Sequence, residues 1–67
     1  MKLKCTTKTG TFYGTKCDTF ISAMTGKQMV SLNIYLQRAD NGQWIWSRQS
    51  TNFTVDQVEE ISQFPNN

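Results

Sequence analysis

Histidine is absent from the 67 residues, and cysteine occurs only twice. Two cysteines without a histidine cannot complete a tetrahedral zinc site within one chain. Acid–base chemistry loses its commonest side chain, and no nucleophile–base pair in the sequence replaces it. The expectation is a protein that is not an enzyme, with no cofactor and no metal. No apolar run approaches membrane-spanning length, so no membrane partner is expected. Met1-Lys2-Leu3-Lys4 is not followed by the apolar stretch of a secretory signal, which points to a cytoplasmic chain. Charge is also sparse. A formal net charge of +2 makes no electrostatic demand for nucleic acid.

What the chain does hold is aromatic and polar. Two Trp, two Tyr and four Phe argue against disorder, while Gly, Thr, Ser, Asn and Gln suit a small β-rich globule with a thin core. Sixty-seven residues make one domain near the lower limit for unassisted folding; it is expected over residues 1–62, with 63–67 as a tail. Through Arg38 the chain has Lys2, Lys4, Lys8, Lys16, Lys27 and Arg38 against Asp18 alone, whereas Asp56, Glu59 and Glu60 gather near the end. A basic side and an acidic side are expected. The Asn/Thr/Gln-rich, His-free composition is compatible with a phage or plasmid accessory protein.

Met1, Leu3 and Cys5 alternate with Lys2 and Lys4, the pattern of a half-buried strand. Thr11 to Cys17 reads as a second short strand or an ordered loop, and Phe20, Ile21, Ala23 and Met24 as an apolar patch before a turn at Thr25-Gly26-Lys27. Val30, Leu32, Ile34 and Leu36 alternate with Ser31, Asn33, Tyr35 and Gln37, a period of two over eight residues. Asn41-Gly42 suits a type I′ hairpin turn, with Gln43 to Gln49 returning as partner. Phe53-Thr54-Val55 is a short strand, followed by a 3₁₀ turn near 55–58 and a last strand at Glu59 to Ser62. A tight turn at Thr9-Gly10 sets Cys5 opposite Gly14 rather than Cys17, so free thiols are expected. The inner face is expected to hold Leu3, Val30, Leu32, Ile34, Leu36, Ile45, Phe53, Val58 and Ile61.

Trp44 and Trp46 share one face of a strand, because residues two apart point the same way. A two-residue Asn41-Gly42 loop pairs Trp44 with Ala39, Ile45 with Arg38 and Trp46 with Gln37. That sets both indoles on the face of Tyr35. A four-residue loop, Ala39 to Gly42, gives the same parity; a three-residue loop reverses it and buries the indoles over Leu36. The even loop is favoured. The candidate binding residues are then Tyr13, Tyr35, Trp44, Trp46 and Arg48.

Leu32-Asn33-Ile34, a polar hairpin ending in Gly42, and then Trp44 resemble the central hairpin of SH3-like domains. Phe53 and Val58 are similar to that family's closing strand and core valine. The likeness covers about residues 30–61 and implies an all-β, SH3-like five-stranded bent barrel with Trp44 lining a ligand groove. The Ala-Leu-Tyr-Asp-Tyr element is missing, Gln57 stands in place of the groove tyrosine, and Thr54 in place of the proline before the 3₁₀ turn. The related Tudor-like barrels imply a cage for methylated cations, with Tyr35, Trp44 and Trp46 as walls and Asp18 or Asp40 as the anion.

Three functions compete. The first is a non-enzymatic module that recognises a protein partner, or a second copy, through an aromatic face flanked by arginine. The second is a nucleic-acid-binding barrel whose lysines track phosphates while Tyr35, Trp44 and Trp46 stack on bases. The third is an oligomeric pore-type enzyme resembling the type II dihydrofolate reductases; Val55 to Ile61 is loosely similar to their closing segment, but Asn52-Phe53 does not match their pore-lining stretch.

Overall fold

The alternation from Val30 to Gln37 is realised as an interior strand with two different faces. A computed structural model describes residues 1–65. It contains β1 (Lys2–Thr7), β2 (Gly10–Ile21), β3 (Gln28–Gln37), β4 (Trp44–Thr54), a 3₁₀ turn (Val55–Gln57) and β5 (Val58–Ile61). All pairings are antiparallel, and the order across the single sheet is β4-β3-β2-β1-β5. The sheet is not closed: β4 and β5 are its two edges.

Leu3, Cys5, Val30, Leu32, Ile34 and Phe53 form the buried core, with Val58 packed against it. Leu32 and Cys5 are fully enclosed. A chain of this length carries roughly 3–10 kcal/mol of stability, so each of these few side chains matters. The apolar row continues along the inner face into Leu36 and Ile45, which pair with each other. They lie near the loop end of the β3–β4 hairpin and are 56% and 40% exposed. The expected core membership of Leu36 and Ile45 is therefore corrected: among the described residues no element crosses the sheet there to cover them. Ile61 is corrected too. It pairs with Lys2 and so belongs to the opposite face.

Both β2 and β4 are reshaped by irregularities the sequence does not announce. β2 runs twelve residues, taking in the Phe20–Ile21 segment, with a register shift between Lys16 and Asp18. In β4, Trp46 faces Tyr35 but Gln49 faces Ile34, so Ser47 and Arg48 are both extra. Arg48 takes a left-handed φ of 65°, and Ser47 Oγ donates to the Ile34 carbonyl at 2.8 Å. The side chain replaces a ladder bond that the bulge removes. Because two residues are inserted, the faces are kept, and Phe53 slides back to pair with Val30 in the core.

The β1–β2 turn is Lys8–Thr9, with Thr7 paired to Gly10 and Cys5 to Phe12. The expected pairing of Cys5 with Gly14 is thus displaced by two residues, Gly14 facing Leu3, and both thiols are free, Cys5 buried and Cys17 exposed. Burial pushes the Cys5 thiol up to about 11. The acidic segment does not form a separate side: Glu59 lies opposite Lys4, with a 3.8 Å ion pair. Gln57 Oε1 accepts from the Thr54 N–H at 3.2 Å at the start of the 3₁₀ turn. Asn66 and Asn67 of the expected tail lie outside the described residues.

Gly14 of β2 pairs directly with Ile34 of β3. A Cβ there would strike the Asn33 carbonyl oxygen and come within 3.3 Å of the Ile34 Cα. Gly14→Ala is expected to lower the unfolding free energy by about 1–3 kcal/mol, read as a lower urea midpoint. Alkylation of the native protein is expected to modify Cys17 alone, with Cys5 reacting only after denaturation. Two adducts on the native chain by mass spectrometry would contradict this packing.

Candidate functional site

The candidate site lies on the face of the sheet opposite the core. Directly paired residues share a face, so one row runs Glu59–Lys4–Tyr13–Tyr35–Trp46 across all five strands. The neighbouring row brings Trp44 opposite Gln37. The hairpin that presents them has a four-residue loop. Arg38 N–H donates to the Gln43 carbonyl and Gly42 N–H to the Arg38 carbonyl, each at 2.8 Å.

The two-residue Asn41-Gly42 turn and its pairings of Trp44 with Ala39, Ile45 with Arg38 and Trp46 with Gln37 are thereby corrected. Gly42 still supplies the left-handed residue, at φ 72°, but as the last loop position. Asn41 Oδ1 accepts from the Gln43 N–H at 2.9 Å, an Asx-type contact that favours the longer loop. The parity is the one the even loop implies, and both indoles share the face of Tyr35.

The two indoles have different surroundings. Trp44 is half-buried, and its ring stands edge-on to Tyr13 at 5.2 Å between centroids. Its other neighbour is Phe64, at 5.1 Å. Phe64 also lies 5.5 Å from Tyr35 and 6.4 Å from Tyr13, with the Lys2 ammonium 5.8 Å from its ring centre. The Trp44 indole N–H donates to the Pro65 carbonyl at 3.1 Å. The chain that leaves β5 therefore turns back and seats an aromatic ring among three others. Trp46, by contrast, is 51% exposed beside this cluster. Arg48 is exposed at the bulge and belongs to none of the ring contacts found among the described residues.

Sequence reasoning named Tyr13, Tyr35, Trp44, Trp46 and Arg48 and missed Phe64, Pro65 and Lys2. A Phe-Pro pair after the last strand was the available signal, but nothing local says where such a segment docks.

Next to the cluster the sheet splits. Tyr13–Tyr35 is the last pair joining β2 to β3; beyond it Phe12 stays with β1 while Leu36 stays with β4. The parting leaves a cleft of about 220 Å³ between the hairpins, lined by Phe12, Tyr13, Tyr35, Leu36 and Trp44 among others. Its chemistry is aromatic and apolar. Indole and phenol groups can hydrogen-bond a ligand there, and no acid or base lines it.

The docked segment is energetically near balance. Three ring contacts at about 0.5–1.5 kcal/mol each, one hydrogen bond at about 1 and partial burial of Phe64 at roughly 1–2 sum to roughly 4–7 kcal/mol. Ordering Ser62 to Pro65 costs about 1–2 kcal/mol per residue, a similar total.

Among the described residues no group of three or more His, Cys, Asp or Glu is placed to hold a metal ion, and no helix is long and apolar enough to cross a membrane. Asp40, one proposed cage anion, is held by Arg38 through two 3.0 Å hydrogen bonds. The other, Asp18, accepts from the Thr19 N–H at 2.8 Å.

The Arg38 contact holds the Asp40 carboxyl below its ordinary value of 3.8, and a Thr54 hydrogen bond does the same for Asp56. A carboxyl whose folded pKa is depressed contributes fully above its unfolded value and loses that contribution as pH falls through the folded one. The melting temperature is therefore expected to be insensitive to these groups above about pH 5 and to fall below pH 4. The slope should be shallower in Asp40→Asn and Asp56→Asn; an unchanged slope in both variants would contradict it. No known family model matches the chain, and neither the curated proteins nor the solved structures offer a match.

Proposed function

We propose that this protein is a non-enzymatic binding module that recognises a protein partner through the aromatic face of Tyr13, Tyr35, Trp44 and Trp46, with Arg48 at its margin. The observation that carries this reading is Trp46, a large indole 51% exposed beside a half-buried aromatic cluster and an open cleft. Burying such a ring stabilises the bound state far more than the free one, and exposed aromatic patches of this kind mark interaction surfaces. The likeness to SH3-like domains, resting on Leu32 to Ile34, Gly42, Trp44, Phe53 and Val58, supports the same surface.

Single-strand nucleic acid is the second reading, favoured by Lys2 and Lys4 on the same face. It is weakened because Lys4 is paired with Glu59 and Lys2 lies over Phe64. Binding to a single-stranded oligonucleotide that falls steeply with salt would favour it over the first.

A displayed library of random linear peptides, selected on the wild-type protein, tests the first reading. Selected peptides are expected to bind Trp46→Ser about ten-fold or more weakly, with its melting temperature close to that of wild type. A selection yielding no peptide that depends on Trp46 would overturn it.

A further inference from the structure

Resting on the proposed peptide-binding face, we infer that Phe64–Pro65 is a resident ligand of the seat formed by Tyr13, Tyr35 and Trp44. The partner that displaces it is an extended peptide carrying an aromatic residue followed by proline. The seat is built from two elements of recognition. Three rings surround the Phe64 side chain at 5.1, 5.5 and 6.4 Å, and one donor, the Trp44 indole N–H, takes the next carbonyl at 3.1 Å. Indole nitrogen donates and cannot accept, so the seat demands an acceptor at that point. Proline supplies a carbonyl while contributing no N–H, and it restricts the residue before it to extended conformations. Less freedom is then lost on docking.

The segment is separable from the fold. It follows β5, whose pairing to β1 ends at Ile61–Lys2, so its release breaks no strand. It occupies the face opposite the buried core. The 220 Å³ cleft between the hairpins shares Tyr13, Tyr35 and Trp44 with the seat, and Trp46 stays exposed beside it. A longer peptide in trans therefore gains contacts that the resident segment does not make. Against this, the resident segment competes at the high effective concentration of a short tether.

The test is a titration with a synthetic peptide of the Ser62–Asn67 sequence, capped at both ends, followed by tryptophan fluorescence and by the Trp44 indole N–H resonance. Phe64→Ala is expected to fold and to bind this peptide at least about ten-fold more tightly than wild type, since the competent state is no longer occupied. The same peptide with alanine in place of its phenylalanine is expected to bind neither protein. In wild type, excess peptide is expected to leave the Trp44 indole N–H signal near its starting position, one bound carbonyl replacing another.

Equal affinity for the two proteins, absence of binding to folded Phe64→Ala, or equal binding of the alanine peptide would each overturn the inference. Unfolding of Phe64→Ala would also overturn it, because a resident ligand is dispensable to the fold. None of these outcomes touches the Trp46-dependent selection on wild-type protein, so the two ideas fail separately.

Discussion

The pleat of β3 is the constraint on which the rest of the molecule depends. Val30, Leu32 and Ile34 point to one side and are buried, while Asn33, Tyr35 and Gln37 point to the other. Strand geometry allows no compromise between the two sets, so every neighbour in register with β3 inherits a face from it. Gly14 of β2 permits the close approach to Asn33 and Ile34. The Ser47–Arg48 bulge restores Phe53 to the level of Val30. Core and candidate site are thus two sides of one strand.

A thin core on one side leaves the other to the candidate site. Six buried residues supply a modest stability, and the outer face adds aromatic contacts instead of a second layer of strands. The segment carrying Phe64 closes part of that face at little net cost, because its contacts and its ordering entropy nearly cancel. A near balance of this kind is what the proposed exchange of occupants requires. Trp46, left outside the cluster, extends the same surface into solvent.

Several features were legible because they are local. The eight-residue alternation announced β3, the Asn41-Gly42 pair announced the hairpin, and the 3₁₀ turn after Thr54 followed from a segment too short for an α-helix. The even parity that sets both indoles beside Tyr35 was the favoured reading, since loops of two and four residues give the same answer, and the four-residue loop realises it against the three-residue alternative. The mistakes came from assuming that an apolar residue in register is a covered one. Leu36 and Ile45 continue the core row, yet none of the described residues reaches across to bury them. Ile61 was assigned by its hydrophobicity, and its pairing with Lys2 sends it to the outer face.

The amino-acid order by itself determined which residues can share a face, because side-chain alternation is a property of the strand backbone alone. It therefore determined that Trp44 and Trp46 belong together and that Val30, Leu32 and Ile34 share one face, while the length of the Ala39–Gly42 loop and the Ser47–Arg48 bulge decided that Tyr35 joins the indoles and Phe53 joins the core. Tertiary structure decided what covers each face. Only the return of the chain after Ile61 brings Phe64 onto Trp44, and only the parting of the two hairpins opens the cleft beside it. Both are contacts between segments far apart in sequence, held by ring packing and one indole hydrogen bond, and periodicity carries no information about them.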